Sequence, residues 1–120
     1  MTTEQLKLRT KQFSLSIIDL VERIPSTPAS KIISYQIAKS GTSVGANYRA
    51  VCRARSDREF ISKMEIVLEE SDETLFWLEI ILEKKWLDEL LVQSLWKEAN
   101  ELTAIFVSSL KTVKAKTNTK

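Results

Sequence analysis

Residues 56–84 read SDREFISKMEIVLEESDETLFWLEIILEK. The first four form an S-x-x-E signature, in which Ser56 can cap the third amide and Glu59 can bond back to the cap amide, so a helix starts here. Phe60, Met64, Val67, Ser71, Leu75, Leu78 and Leu82 then recur at three-, four- and seven-residue steps. That is the period of one face of a long helix. Between Leu75 and Leu82 the chain is apolar nearly all round, interrupted by Glu79 alone. A helix in a four-helix monomer needs only one apolar face. Phe76, Trp77 and Ile80 therefore read as a second face, turned toward another subunit.

The same period runs outward in both directions. Upstream, Pro25-Ser26-Thr27-Pro28 is a loop with Thr27 as N-cap and Pro28 at the first helical position. It separates a helix expected over 4–24 from one expected over 28–54. Leu6, Phe13, Ile17, Leu20, Val21 and Ile24 form the inner stripe of the first, widened by Leu8, Leu15 and Ile18. Ile33, Ile37, Val44, Tyr48 and Val51 form that of the second. Downstream, the tight connection at Lys84-Lys85-Trp86-Leu87 leads to Asp88 as cap of a fourth helix, expected over 88–114. Its stripe is Leu91, Leu95, Ala99, Leu102, Ile105, Phe106, Leu110 and Val113. Residues 115–120 lack apolar anchors and are expected to fray. The chain has only two Gly and two Pro in 120 residues, so it has few turns and long elements. Short loops make neighbouring helices antiparallel. The reading is a single all-α domain, an up-down-up-down antiparallel four-helix bundle.

Gly41 and Gly45 sit four residues apart in the middle of the second helix, each costing about 1 kcal/mol relative to Ala. With Ser43 and other small residues nearby they suit close approach of another helix, within the chain or between subunits. Asn47, a polar amide in the same stretch, is read as an alignment residue.

Composition excludes much chemistry. There is no His, so Ser-His, Cys-His and the common zinc arrangements are impossible. No Gly-rich phosphate loop is present. The lone Cys52 lies between Arg49 and Arg53, where it either packs as a small hydrophobe or is activated as a thiolate. Glu65, Glu69 and Glu73, with Asp72 alongside, share one helix face. They read as a solvated acidic surface before they read as a metal site. The expectation is a protein without catalytic residues, cofactor or metal. No apolar signal core or membrane span is legible, so a cytoplasmic location is expected.

Lys+Arg number 18 and Asp+Glu 16, a net charge of +2 that conceals strong segregation. Residues 29–63 carry seven bases and two acids, whereas residues 64–101 carry eleven acids and three bases. Arg49, Arg53, Arg55 and Arg58 cluster around the turn between the second and third helices. Guanidinium forks suit phosphate, so this is a candidate nucleic-acid backbone patch. A solvated turn, or pairing with the acidic third helix of another subunit, reads the same residues equally well.

The stretch from Gln36 to Arg49, QIAKSGTSVGANYR, followed by Arg53-Ala54-Arg55-Ser56, Glu59-Phe60-Ile61 and the block from Glu70 to Glu79, ESDETLFWLE, resembles the bacterial 23S rRNA intervening-sequence proteins. The likeness covers about residues 6–113, with one departure at Val51, where many relatives carry an acid. It implies a four-helix bundle assembled as a ring-shaped homopentamer. The group is also similar to the accessory variability proteins of diversity-generating retroelements, which form pentamers and bind nucleic acid and a reverse transcriptase. By that resemblance the four arginines become candidate contacts to RNA or DNA, and Ser43 and Asn47 become packing residues. The leading expectation is an oligomeric, non-enzymatic nucleic-acid-binding protein. The alternative is a protein–protein scaffold or accessory subunit, for example of a reverse transcriptase, that does not touch nucleic acid.

Overall fold

The computed structural model describes residues 1–118, which form four helices and no strand: α1 (Thr3–Glu22), α2 (Pro28–Cys52), α3 (Asp57–Lys84) and α4 (Glu89–Asn118). Local chemistry sets each start. Thr2 caps α1 in a reciprocal box with Gln5, so the helix begins one residue ahead of the start read from the sequence. Thr27 caps α2, with Pro28 following and Ser30 closing the box at 2.7 and 3.1 Å. Ser56 accepts the Glu59 amide at 3.0 Å and starts α3. The return half of that box is not made, because the Glu59 carboxylate pairs with Lys63 at 3.1 Å instead.

The ends differ from the sequence reading by a turn or less. α1 stops at Glu22 and α2 at Cys52, each closed by a tightened last turn at Arg23 or Arg53. Pro25 keeps Ile24 out of the helical region. α3 ends at Lys85, which takes left-handed geometry at φ 56°, the conformation that glycine adopts most easily. α4 corrects the expected fraying, since it continues to Asn118. Lys114 reaches Glu65 and Lys116 reaches Asp57, tying the last turns to α3 without apolar anchors. Residues 119 and 120, the rest of the expected frayed tail, lie outside the described residues.

The helices pack in chain order, α1 on α2, α2 on α3 and α3 on α4, while α4 meets α1 along a slighter seam. The result is an antiparallel rod of 53 × 23 × 20 Å. Phe13, Ile17, Ile37, Val44, Met64, Leu78, Leu102 and Phe106 are wholly or almost wholly buried along its axis. Val92 and Ile81 join them, whereas Leu82, Leu91 and Leu95 are only half-buried. The stripes of α3 and α4 are thus rotated by about one residue from the expected ones at that end.

Among the described residues, three hydrogen bonds made by Ser and Thr hydroxyls link neighbouring helices. Ser14 donates to the Gly41 carbonyl at 2.9 Å, Thr74 donates to Ser40 at 2.9 Å, and the Ser71 and Thr103 hydroxyls share a 2.6 Å hydrogen bond. Each satisfies a group that burial would otherwise penalise, and each holds one sliding position between helices. Asn47 has no part in this: its amide donates to the Ser43 carbonyl of its own helix at 2.8 Å. Gly41 and Gly45 stand where α1 crosses. A Cβ at 41 would lie 2.8 Å from Ile17 Cγ2, and one at 45 would lie 2.8 Å from Ser14 Oγ.

The apolar residues expected to widen the α1 stripe face outward instead. Leu8 is 68% exposed, and Leu15 and Ile18 are exposed as well. In a single chain α1 has neighbours on two sides only, so its outer flank has nothing to cover it.

Candidate nucleic-acid interface

The four arginines near the α2–α3 turn do not share one surface. Arg49 and Arg53, one turn apart at the end of α2, line an open groove of about 630 Å³. Arg55 lines a separate depression of about 390 Å³, together with Tyr48, Cys52 and Phe60. Arg58 is exposed on the first turn of α3 and lines neither.

Two lysines replace the missing pair. Lys11 reaches the groove from α1 and Lys63 reaches it from α3. The floor between them is Ser14, Thr42, Gly45, Ala46 and Ala50. Four cations from three helices thus surround a floor of small side chains, and no acidic residue lines it. Lys11, Arg49 and Arg53 make no ion pair among the described residues, whereas Lys63 holds Glu59. That pairing, reinforced by the Arg55 backbone amide, keeps the Glu59 carboxyl below its ordinary range.

The absence of acid extends along the whole helix, because α2 has no Asp or Glu from Pro28 to Cys52. Cations around a small-residue floor, three of the four of them unpaired, can seat a phosphate chain close to the backbone, with guanidinium forks supplying paired donors. Lys11 and Lys63 were legible only as separate charges, since nothing local ties Lys11 to arginines about forty positions away or shows that Lys63, beyond the α2–α3 turn, faces the same groove.

Other residues singled out from the sequence lie apart. Cys52 is half-buried and neighbours Tyr48 rather than the groove. Tyr48 is 5% exposed and stacks near Phe106 at 6.3 Å, a core role. Burial, followed by the Cys52 neighbour, pushes its phenol up to about 12. Val51, the position departing from the resemblance, is buried in the core. Glu65 turns to Lys114 of α4, whereas Glu73 accepts from the Trp77 indole of its own helix at 3.2 Å. Among the described residues no group of three Asp, Glu or Cys could hold a metal.

The α3 surface is also mixed. Phe76 is 52% exposed, while Trp77 and Ile80 are partly covered. Trp77 packs against the core and meets Phe76 edge-on at 4.9 Å, so part of its surface serves the monomer. Among the described residues no helix is long and apolar enough to cross a membrane.

The family described as 23S rRNA-intervening sequence protein matches residues 5–108. A crystal structure of a protein with unknown function from the S23 ribosomal protein family of Bacteroides thetaiotaomicron is 30% identical. The alignment covers 88% of this chain and 97% of that one, with a TM-score of 0.81. No functionally curated protein matches the chain.

Proposed function

The chain belongs to the 23S rRNA-intervening sequence protein family, and from that footing we propose that it is an oligomeric, non-enzymatic nucleic-acid-binding protein that holds the sugar-phosphate backbone. One observation carries the reading: Lys11, Arg49, Arg53 and Lys63 converge on a groove lined by no acid. Backbone binding by fixed cations needs no proton exchange, nucleophile or metal, and it releases counterions. Arg55 and Arg58, on neighbouring surfaces, extend the positive field without sharing the groove. The test is fluorescence anisotropy with labelled RNA and DNA at rising salt. Wild type should lose affinity steeply with salt, by about 0.7–0.9 log units per log unit of salt for each phosphate neutralised. Arg49→Glu with Arg53→Glu should abolish binding. Wild-type protein that ignores both polymers at low salt rejects the proposal.

Assembly is the second part, and exposed Phe76 supports it. A face containing Phe76, Trp77 and Ile80 would be covered by a neighbouring copy in a ring, for which the pentamer implied by the family resemblance is the working size. Phe76→Glu is a cleaner probe than Trp77→Glu, since Trp77 also packs within its own chain. Light scattering should show a smaller mass for Phe76→Glu, and an unchanged mass removes this face from the interface. The same face supports the rival reading, a scaffold or accessory subunit for another protein. A partner captured from nuclease-treated host extract by a Phe76-dependent contact, together with no binding to RNA or DNA, would favour that reading.

A further inference from the structure

We propose that the polymer held by this face is single-stranded, its backbone running along α2 from Arg53 toward the helix N-terminus and one base stacking on Tyr35. The inference rests on the backbone-binding reading above and adds the form of nucleic acid. Tyr35, Thr42 and Arg49 are spaced by seven residues, and Lys39, Ala46 and Arg53 interleave with them. At the helical period these positions share the outward stripe of α2. Tyr35 is 64% exposed and makes no hydrogen bond or ring contact among the described residues. The chain's other tyrosine is 5% exposed, with its ring spent on the core.

A flat aromatic open to water, on the same stripe as unpaired arginines, is the pairing that single-strand binders use: cations track the phosphates and a ring receives a base. Tyr35 lies about 10 Å from Thr42 and about 21 Å from Arg49 along the helix, a span of roughly three or four extended nucleotides. The small floor at Gly45 and Ala46 lets the backbone approach the helix between these points. A duplex has its bases stacked internally and offers none to Tyr35. It would use the cations alone.

The experiment titrates labelled RNA and DNA strands of about 15 nucleotides, and the duplex of the same length, against wild type, Tyr35→Ala, Tyr35→Phe and the Arg49→Glu/Arg53→Glu double variant. Tyr35→Ala should bind single strands about 5- to 100-fold more weakly and leave duplex affinity unchanged, while Tyr35→Phe stays within about twofold of wild type. Equal single-strand binding by Tyr35→Ala and wild type overturns the inference. So does an equal loss for strand and duplex. A smaller mass for Tyr35→Ala by light scattering also overturns it, because Tyr35 would then belong to a contact between copies. If the arginine double variant abolishes binding while Tyr35→Ala does not weaken it, only this inference falls. If wild type binds no polymer, the backbone-binding reading falls with it.

Discussion

Replacing Gly41 with alanine sets two effects of known size against each other. Gly41 is buried near the middle of α2, with helical geometry that alanine adopts freely, so propensity alone favours Gly41→Ala by about 1 kcal/mol. Against this, the new methyl would lie 2.8 Å from Ile17 Cγ2, 2.9 Å from Cγ1 and 3.1 Å from Cβ. Ile17 is fully buried and β-branched, so it has no free rotamer to retreat into. Overpacking of this kind costs about 1–3 kcal/mol. The expected net is a destabilisation of about 1 kcal/mol, a fall in Tm of a few degrees for a chain of this length. Urea unfolding followed by circular dichroism reads it, with the m-value expected to stay constant. Ile17→Ala supplies the control. It removes both Cγ atoms and costs about 2–5 kcal/mol by itself, but Gly41→Ala made in that background should stabilise, because the two shortest contacts are gone and only the 3.1 Å approach to Cβ remains. Gly41→Ala more stable than wild type by the full propensity gain would refute the close approach of α1 and α2.

Three further outcomes follow from particular contacts. Lys85 holds left-handed geometry at the end of α3, so Lys85→Gly should stabilise by about 0.5–1 kcal/mol in the same unfolding assay. Thr74→Val removes the donor to the buried Ser40 hydroxyl, leaving it only a long 3.4 Å bond to the Ile37 carbonyl, and should cost about 1–2 kcal/mol, whereas the Ser40→Ala/Thr74→Val double variant should recover most of that loss. Burial, with Glu73 and Glu69 nearby and Lys39 opposing, raises the Glu70 carboxyl above its ordinary value of 4.5. The folded state then holds that proton more tightly than the unfolded state, so the stability it contributes is present at low pH and lost as pH rises past that value. Glu70→Gln should therefore raise Tm at neutral pH, and the gain should vanish in melting curves recorded below about pH 4.

The helices were legible because their signals are local. Thr27-Pro28 and Ser56 mark their starts within four residues, Pro25 marks a stop, and a three- to four-residue apolar period identifies inner faces along each rod. The absence of His limits the chemistry from composition alone. The misreadings come from places where a second partner decides. Glu59 suited the cap amide by spacing but pairs with Lys63. Leu8 suited an inner stripe but lies on a flank that no helix of its own chain reaches. The end of α4 looked unanchored, yet Lys114 and Lys116 find carboxylates on α3.

The basic groove divides along the same line. That Arg49 and Arg53 share a face follows from their four-residue spacing on one helix. That Arg55 and Arg58 leave that face, and that Lys11 and Lys63 join it, depends on how α1 and α3 are rotated and slid against α2. Periodicity orients a side chain about its own helix axis but carries nothing about the register of another helix. Here register rests on Ile17 against Gly41 and on the Ser14, Ser40–Thr74 and Ser71–Thr103 contacts, each joining residues at least 24 positions apart. Helix identity and the inventory of charges were therefore written in the chain, while the composition of the groove came into being only when the rods docked.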